Sequence, residues 1–570
     1  MTEAEIKAQQ SQERAQCLNA VLESPAPKKL IVAGAGTGKT FTFSKLLAQS
    51  QGGTNLALTF IRKLVADMEA SLGHLAEVKT FHAFCKKILH QQNGQIELAP
   101  YLTKVIEKDA DLLGKHLADF DAKLRNLEEG CAEISFYLKR GDYYAVVGFD
   151  DSVYRLYKAI QADPTIVPQY DQIVVDEFQD FNPLEVAFID ELSKHGNVLI
   201  VGDDDQAVYN DRSASPDHLR ALYQSGEFEK FELPFCSRCT KVVVDAVKSI
   251  IQRAQQTGHF KGRVAKRYEC YWEDKAADSL KYPKIVVANL TTGSVIPKYI
   301  GREIAQIDPS DIKESHDKAY PTVLIVGPRQ YLREVEKQLR SIHPQLSYTA
   351  SSESDYGLCE AYEFISRDPR SNFGWRILME RMLEVGTQRR VLAATEDGTA
   401  LVDLLDQGFV ARHLAAVQAV KGLQDEQMTP AAAEDVLNNS VGPEAQVVLK
   451  HFLAEETEDE PPTDPTKPSI LLTSFKGCKG LSAGHVFIVG VHVDAMPRDA
   501  NNITDVEISQ FIVAMTRTRK QCHILSNNWL VAPVDKNKQF LPRFRKSPFI
   551  SWIAPNLVND CGELKAKDFK

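Results

Sequence analysis

The sequence predicts an α/β fold with at least two parallel sheets, each carrying helices on both faces. Two observations lead there. Short apolar runs recur along the chain with helical patterns between them, which is how parallel strands and their crossover helices read. The chain also has 570 residues, more than one ordinary core accommodates, so length predicts three to four domains.

Residues 29–33 (KLIVA) are the first such run and lead into a Gly-rich turn. Residues 172–175 (QIVV) and 198–201 (VLIV) follow, each ending in acidic residues. Residues 285–289, 322–326, 469–473 and 485–491 repeat the pattern, with helical patterns such as Val242 to Ala254 and Glu507 to Thr516 between runs. In such sheets ligands sit at the carboxyl ends of strands. Two stretches break the alternation. Residues 92–145 read as a helical insertion. Residues 376–465 are rich in Ala, Leu and Glu and end in the acidic, Pro-rich EETEDEPPTDPTKP, an exposed linker. From about Lys536 the chain is Lys-rich and irregular, and is read as a tail.

The apolar fraction of 44% and charged fraction of 25% suit a globular protein. No run of eighteen apolar residues occurs, so no spanning helix is expected. Met1 to Gln16 is polar and lacks the apolar stretch of a signal peptide. The ten cysteines are scattered, unlike a disulfide scaffold, so a reduced, cytoplasmic protein is expected. Cys236 and Cys239 form a C-x-x-C without the second pair a metal site needs. A net charge of −10 argues against a passive nucleic-acid coat. It leaves room for a locally basic channel, because the field that acts on a ligand is local.

Residues 33–40 read A-G-A-G-T-G-K-T. Successive backbone N–H groups in a Gly-rich turn at a helix N-terminus form a nest for anions. Ala35, Gly36, Thr37 and Gly38 supply that nest, Lys39 reaches the β- and γ-phosphates, and Thr40 holds Mg²⁺. Such a loop needs an acid on the metal side. I-V-V-D-E-F-Q-D (173–180) provides it: Asp176 at a strand end for Mg²⁺, and Glu177 to polarise the attacking water.

At D-E-F-Q-D the order of motifs resembles the UvrD/Rep-type superfamily 1 helicases, over nearly the whole chain. Q-C-L-N-A-V (16–21) places Gln16 on the family's adenine-reading glutamine, with Gln12 as a competing choice. T-F-I-R-K (59–63) and K-T-F-H-A-F (79–84) resemble segments lining the single-strand path, which implies DNA contacts at Thr59, Phe60, Phe81 and His82. G-F-D-D (148–151) resembles a segment before the acidic strand, and G-D-D-D-Q-A-V-Y (202–209) brings Gln206 and Tyr209. L-P-F-C-S-R-C-T (233–240) places Arg238 on a family arginine. S-F-K-G-C-K-G-L (474–481) implies strand contacts at Ser474 and Lys476. Residues 507–518 place Glu507 on an acid that reads the ribose and Arg517 on the arginine finger.

The chain also departs from that pattern. The adenine-stacking tyrosine before Arg238 is Ser237. Asn210, Asp211 and Arg212 stand where the family has Gly, an aromatic and Arg, so a base-stacking ring is missing beside Arg212. Lys476 replaces a histidine and Ser482 a glutamate.

The resemblance implies two RecA-like P-loop domains. The first, with the P-loop, spans 1–91 and 146–225, interrupted by the 92–145 insertion. The second spans 226–375 and 466–545, interrupted by a short 376–465 helical insertion, with 546–570 as the tail. It implies ATP and Mg²⁺ as cofactors and single-stranded DNA as partner. ATP would be hydrolysed between the domains by Lys39, Asp176, Glu177, Gln206, Arg238 and Arg517, driving translocation along the strand. A second expectation is a regulatory ATPase controlling a partner nuclease, since small UvrD-like proteins pair with nucleases in bacterial anti-phage systems such as Gabija.

Overall fold

A computed structural model describes residues 2–50, 53–59, 62–93, 96–343, 346–349, 356–425, 427–453, 464–531 and 542–569. Two sheets organise it. The first contains β1 (Lys28–Val32), β2 (Asn55–Thr59), β3 (Glu77–Thr80), β4 (Gln172–Val175), β5 (Asn197–Gly202) and β6 (Glu229–Phe231). Their order is β3-β2-β4-β5-β1-β6, and every neighbouring pair is parallel. The second contains β7 (Ile285–Thr292), β8 (Val323–Val326), β9 (Ser347–Thr349), β10 (Ile470–Thr473), β11 (Ala483–Val489), β12 (Thr518–Trp529) and β13 (Val558–Leu564). Their order is β9-β10-β8-β11-β12-β7-β13, again parallel throughout. The chain is therefore α/β with two parallel sheets, the build of two RecA-like units.

Each apolar run singled out in the sequence forms a strand. The central ones are buried on both faces, which is why they are continuously apolar rather than alternating. One face of the first sheet packs on Val21, Phe43, Leu46 and Leu47. Its other face merges with the helical regions in one large core. The second sheet has a core on each face.

The structure corrects three boundaries. β6 (Glu229–Phe231) pairs with β1, so the first unit runs past the 225/226 division. The second helical block begins at Leu358, earlier than 376, and its helix Asn372–Met382 runs across the 375/376 division. Ser371 starts that helix by accepting from the Gly374 N–H, a cap that composition alone did not reveal. The 546–570 stretch is no tail. Its helix Pro548–Trp552 buries Phe549 and Trp552, and β13 then joins the sheet edge beside β7. The charged residues of β13 point to solvent, as edge strands favour.

The two helical blocks share one core and one buried ion network. Asp109, fully buried in the helix Leu102–Leu112, lies 2.8 Å from Arg140 and 2.6 Å from Arg376 of the other block. Tyr144 donates to Asp109 at 2.5 Å, and Arg140 donates to Thr395 at 2.9 Å.

Candidate nucleotide site and strand-side cavities

The P-loop follows β1 directly. Gly36 and Gly38 have φ of +70° and +90°, a region that costs other residues strain. At Gly36 a side chain is also excluded by space: a Cβ there would lie 2.5 Å from the Arg238 Cβ. The close approach is locked by the Ser237 N–H, which donates to the Gly36 carbonyl at 2.9 Å. The helix Lys39–Gln49 then begins, aiming its N-terminus at the loop.

These elements enclose a cavity of about 280 Å³. Its walls hold Ala35 to Thr40 of the loop, Asp176 and Glu177 after β4, and Gln206 after β5. The other walls hold Arg238 and, from the second half of the chain, Gly480, Arg517 and Arg519. Lys39, Thr40, Asp176, Glu177, Gln206, Arg238 and Arg517, picked out separately along the sequence, thus converge on one space.

Asp176 is buried, and burial, then the charge of Glu177, push its carboxyl up to about 6. Its Oδ1 accepts from the Glu177 N–H at 2.9 Å. Glu177 has φ of +57°, which turns it out of the strand direction and into the cavity wall. Burial disfavours its charge, but the ammoniums of Lys479 and Lys39, the Gln179 amide and Arg517 outweigh burial and hold it well below the usual carboxylate range. It is therefore ionised, as a base must be. The Gln179 amide donates to Glu177 Oε2 at 2.5 Å, and Gln179 Oε1 accepts from the Asp203 N–H at 2.9 Å. Asp203 takes the Gln206 amide at 2.5 Å, and Gln206 Oε1 accepts from Arg517 at 2.9 Å. A single hydrogen-bonded chain thus runs from the acid of the first sheet to the arginine of the second. Arg517 also donates to the carbonyls of Val513 and Leu481. Burial and the neighbouring Arg238 lower its pKa to about 10.

Sequence reasoning passed over Lys479. Almost fully buried, it lies 3.3 Å from Glu177, pairs with Asp180, and donates to the Gln206 carbonyl at 3.0 Å. The signal was present: it is the second lysine of K-G-C-K-G-L. Ser482, the departure next to that motif, accepts from Arg519 at 3.0 Å. The hydroxyl of Thr40 and the buried carboxylate of Asp176 line the same cavity and are hard oxygen donors of the kind Mg²⁺ prefers. The second acidic cluster, Asp203, Asp204 and Asp205, is already compensated, with Lys266 2.6–2.8 Å from all three.

Two nucleotide assignments fail. Gln16 is exposed and lines no described cavity; the helix Glu3–Glu23 turns Arg14 and Cys17 to the P-loop instead. At about 100° per residue, Gln16 falls on another face, and Gln12 is exposed too. Glu507 lines a different cavity, with Ser474 and Lys476. It closes a capping box with Thr504 at the start of the helix Asp505–Met515 and accepts from the Arg498 N–H at 2.7 Å.

The residues assigned to DNA divide between two further cavities and the interior. His82 and Arg212 line one of about 560 Å³ with Thr80, Lys86, Arg125 and Asp150. Ser474 and Lys476 line one of about 810 Å³ with Asp211, Arg329 and Arg498. Lys476 is 2.8 Å from Asp211, so the residue replacing the missing ring holds the residue replacing the histidine. Thr59 is fully buried at the end of β2. Phe81 is a core residue, edge-on to Phe181 and Phe188 at 5.3 and 5.0 Å. Helical phase decides this: Phe81 faces the sheet and His82 the cavity. Tyr209 is half-buried beneath Lys479, whose Nζ is 5.8 Å from its ring. Phe60 lies outside the described residues. Lys86, Arg125, Arg329 and Arg498 had no motif to announce them.

Residues 17–212 match the family model described as AAA domain. DNA helicase II of Haemophilus influenzae is 25% identical over 281 residues, 40% of this chain and 39% of that protein. The putative ATP-dependent DNA helicase YjcD of Bacillus subtilis is 25% identical over 348 residues, 52% of this chain and 43% of that protein. DNA helicase II of Escherichia coli is 25% identical over 305 residues, 44% and 41% of the two chains. The chain is a sequence relative of UvrD/Rep-type superfamily 1 helicases. It spans about two fifths of the length of these UvrD-type relatives. Among the described residues no helix is long and apolar enough to cross a membrane.

Proposed function

We propose that this protein is an ATP-driven translocase or helicase on single-stranded DNA. The observation that carries the reading is the cavity whose loop and acids come from the first sheet, with Arg517 and Arg519 from the second and Arg238 from the segment between them. We assign residues up to 91 and 146–231, which includes β6, to one motor unit, and 232–357 with 466–569 to the other. The P-loop N–H groups and Lys39 hold the phosphates. Thr40 and Asp176 would hold Mg²⁺, which would supply positive charge to offset that of the phosphates. Glu177, ionised and fixed by Gln179, orients the water, and Arg238 and Arg517 meet the charge that develops on the transferring phosphoryl group. Gln206 and Lys479 tie the two units at this point, so nucleotide loss would loosen the contact and move one unit against the other. The strand would run past His82, Arg212, Ser474 and Lys476, at the carboxyl ends of the strands.

The experiment is ATP turnover by the intact chain with and without single-stranded DNA. A several-fold rise is expected, fading as salt is added, because phosphate contacts release counterions. Turnover indifferent to nucleic acid at low salt would contradict the motor. One observation favours a second reading. The Lys476–Asp211 pair occupies a strand-side position where a stacking ring would grip a base. A regulatory ATPase that senses nucleotide or DNA and controls a partner nuclease needs less grip than a motor. Strand-displacement assays separate the two: ATPase activity without displacement supports the sensor.

A further inference from the structure

The proposed nucleotide site has one unusual wall. Phe41, two residues beyond Lys39, is 51% exposed. Among the described residues it is the only phenylalanine left so open. Its helix does not lack apolar contacts, since Phe43 is fully buried in the same turn. Phe41 borders both the phosphate cavity and a neighbouring notch formed with Arg14, Cys17, Gly38, Pro234 and Phe235. An apolar ring beside the end of a phosphate-binding loop is placed where the base of a nucleotide would leave the phosphates.

The notch is shallow. Its volume of about 30 Å³ is about one water's share of the liquid, far too little to enclose a base. Nor does it offer a matched set of donors and acceptors. The hydroxyls of Thr37 and Thr42 are turned to the loop carbonyls of Gly34 and Gly38, at 3.0 and 3.2 Å. Arg14 offers donors alone, while its guanidinium lies 4.3 Å over the Tyr271 ring and 3.6 Å from Asp274. Gln16, which would read an adenine edge, is on another face of its helix. Ser237, in the wall of the phosphate cavity, carries a hydroxyl and no ring to stack on. A base can therefore be held by its face but not read by its edge, and every base has a face.

We propose that this site takes nucleoside triphosphates of any base, held by the base face on Phe41 while the loop holds the phosphates. The inference rests on reading the loop as a triphosphate site. Equilibrium titration of the intact chain with ATP, GTP, CTP and UTP in the presence of Mg²⁺, and with inorganic tripolyphosphate, tests it. The four nucleotides should bind within about tenfold of one another, since face stacking tolerates all bases. Phe41→Ala should weaken each by roughly 5- to 100-fold, the range of one lost stacking contact, and Phe41→Trp should restore them. Tripolyphosphate should bind both variants alike. A preference above about a hundredfold for one base would overturn the proposal, as would a Phe41→Ala protein that binds all four unchanged. Failure of all five ligands to bind would overturn both the proposal and the triphosphate site. The expected binding pattern without hydrolysis would support the base platform and count against the ATPase reading alone.

Discussion

Glu177 has the left-handed backbone that a residue with a Cβ adopts at a cost of roughly 1–2 kcal/mol, and it sits where the proposed chemistry takes place. Strain held by surrounding structure is common at such sites. Glu177→Gln should bind nucleotide normally yet hydrolyse it at least about a hundredfold more slowly, as loss of a general base predicts. Phosphate release beside equilibrium binding measures both, and lost binding would make Glu177 a structural acid. A different acid adds a pH dependence to stability. Burial pushes Glu185 from its ordinary 4.5 up to about 7. Its folded form keeps a proton that the unfolded chain releases. That contribution to stability is complete below about pH 4.5 and is lost as pH rises through about 7. Glu185→Gln keeps the capping box with Asn182 and removes this term. Relative to the parent, the variant should gain stability in denaturant between pH 5 and pH 8, and an equal offset at both would contradict the assignment. That Lys39, Asp176 and Glu177 meet at one cavity was legible because the P-loop and the Asp176–Glu177 pair each follow a strand of a parallel sheet directly, at its carboxyl end. That Gln16 is exposed, Phe81 packs in the core and Glu507 closes a capping box was not legible, because helical phase and capping, which one residue's shift reverses, decide where a side chain points.

β2 (NLALT), buried throughout, was passed over; seven other strands were legible as apolar runs, and all seven formed. β3 (EVKT) and the polar stretches of β12 were not, because a short or mixed strand carries no such run. Nor did the sequence indicate that the two helical blocks meet. Asp109 is one acid in a charged helix (LTKVIEKDADL), and nothing local says its partners are Arg140 and the distant Arg376. Removing one member of a buried network leaves charges unpaired, at a cost of about 3–5 kcal/mol. Asp109→Ala should lose about that much in denaturant unfolding. A loss under about 1 kcal/mol would mean that solvent or another acid compensates the two arginines.

At the scale of the whole molecule, the site belongs to neither sheet alone. The first sheet supplies the phosphate loop and the acids; the second supplies Lys479 and Arg517, the segment between the sheets supplies Arg238, and the Gln206–Arg517 bond joins the two sheets. Motif order made this division readable, since the two halves of the site lie in two separate runs of alternating strands and helices. The central claim is that the second sheet completes the catalytic site of the first. Arg517→Ala tests it most directly, measured by steady-state phosphate release from ATP alongside equilibrium nucleotide binding. Arginines that stabilise a transferring phosphoryl group contribute about 10³–10⁵ in rate. The account predicts that turnover falls by about a thousandfold or more, with and without single-stranded DNA, while nucleotide affinity changes only a few-fold. Turnover within about tenfold of the parent would contradict it, because hydrolysis would then be complete within the first sheet.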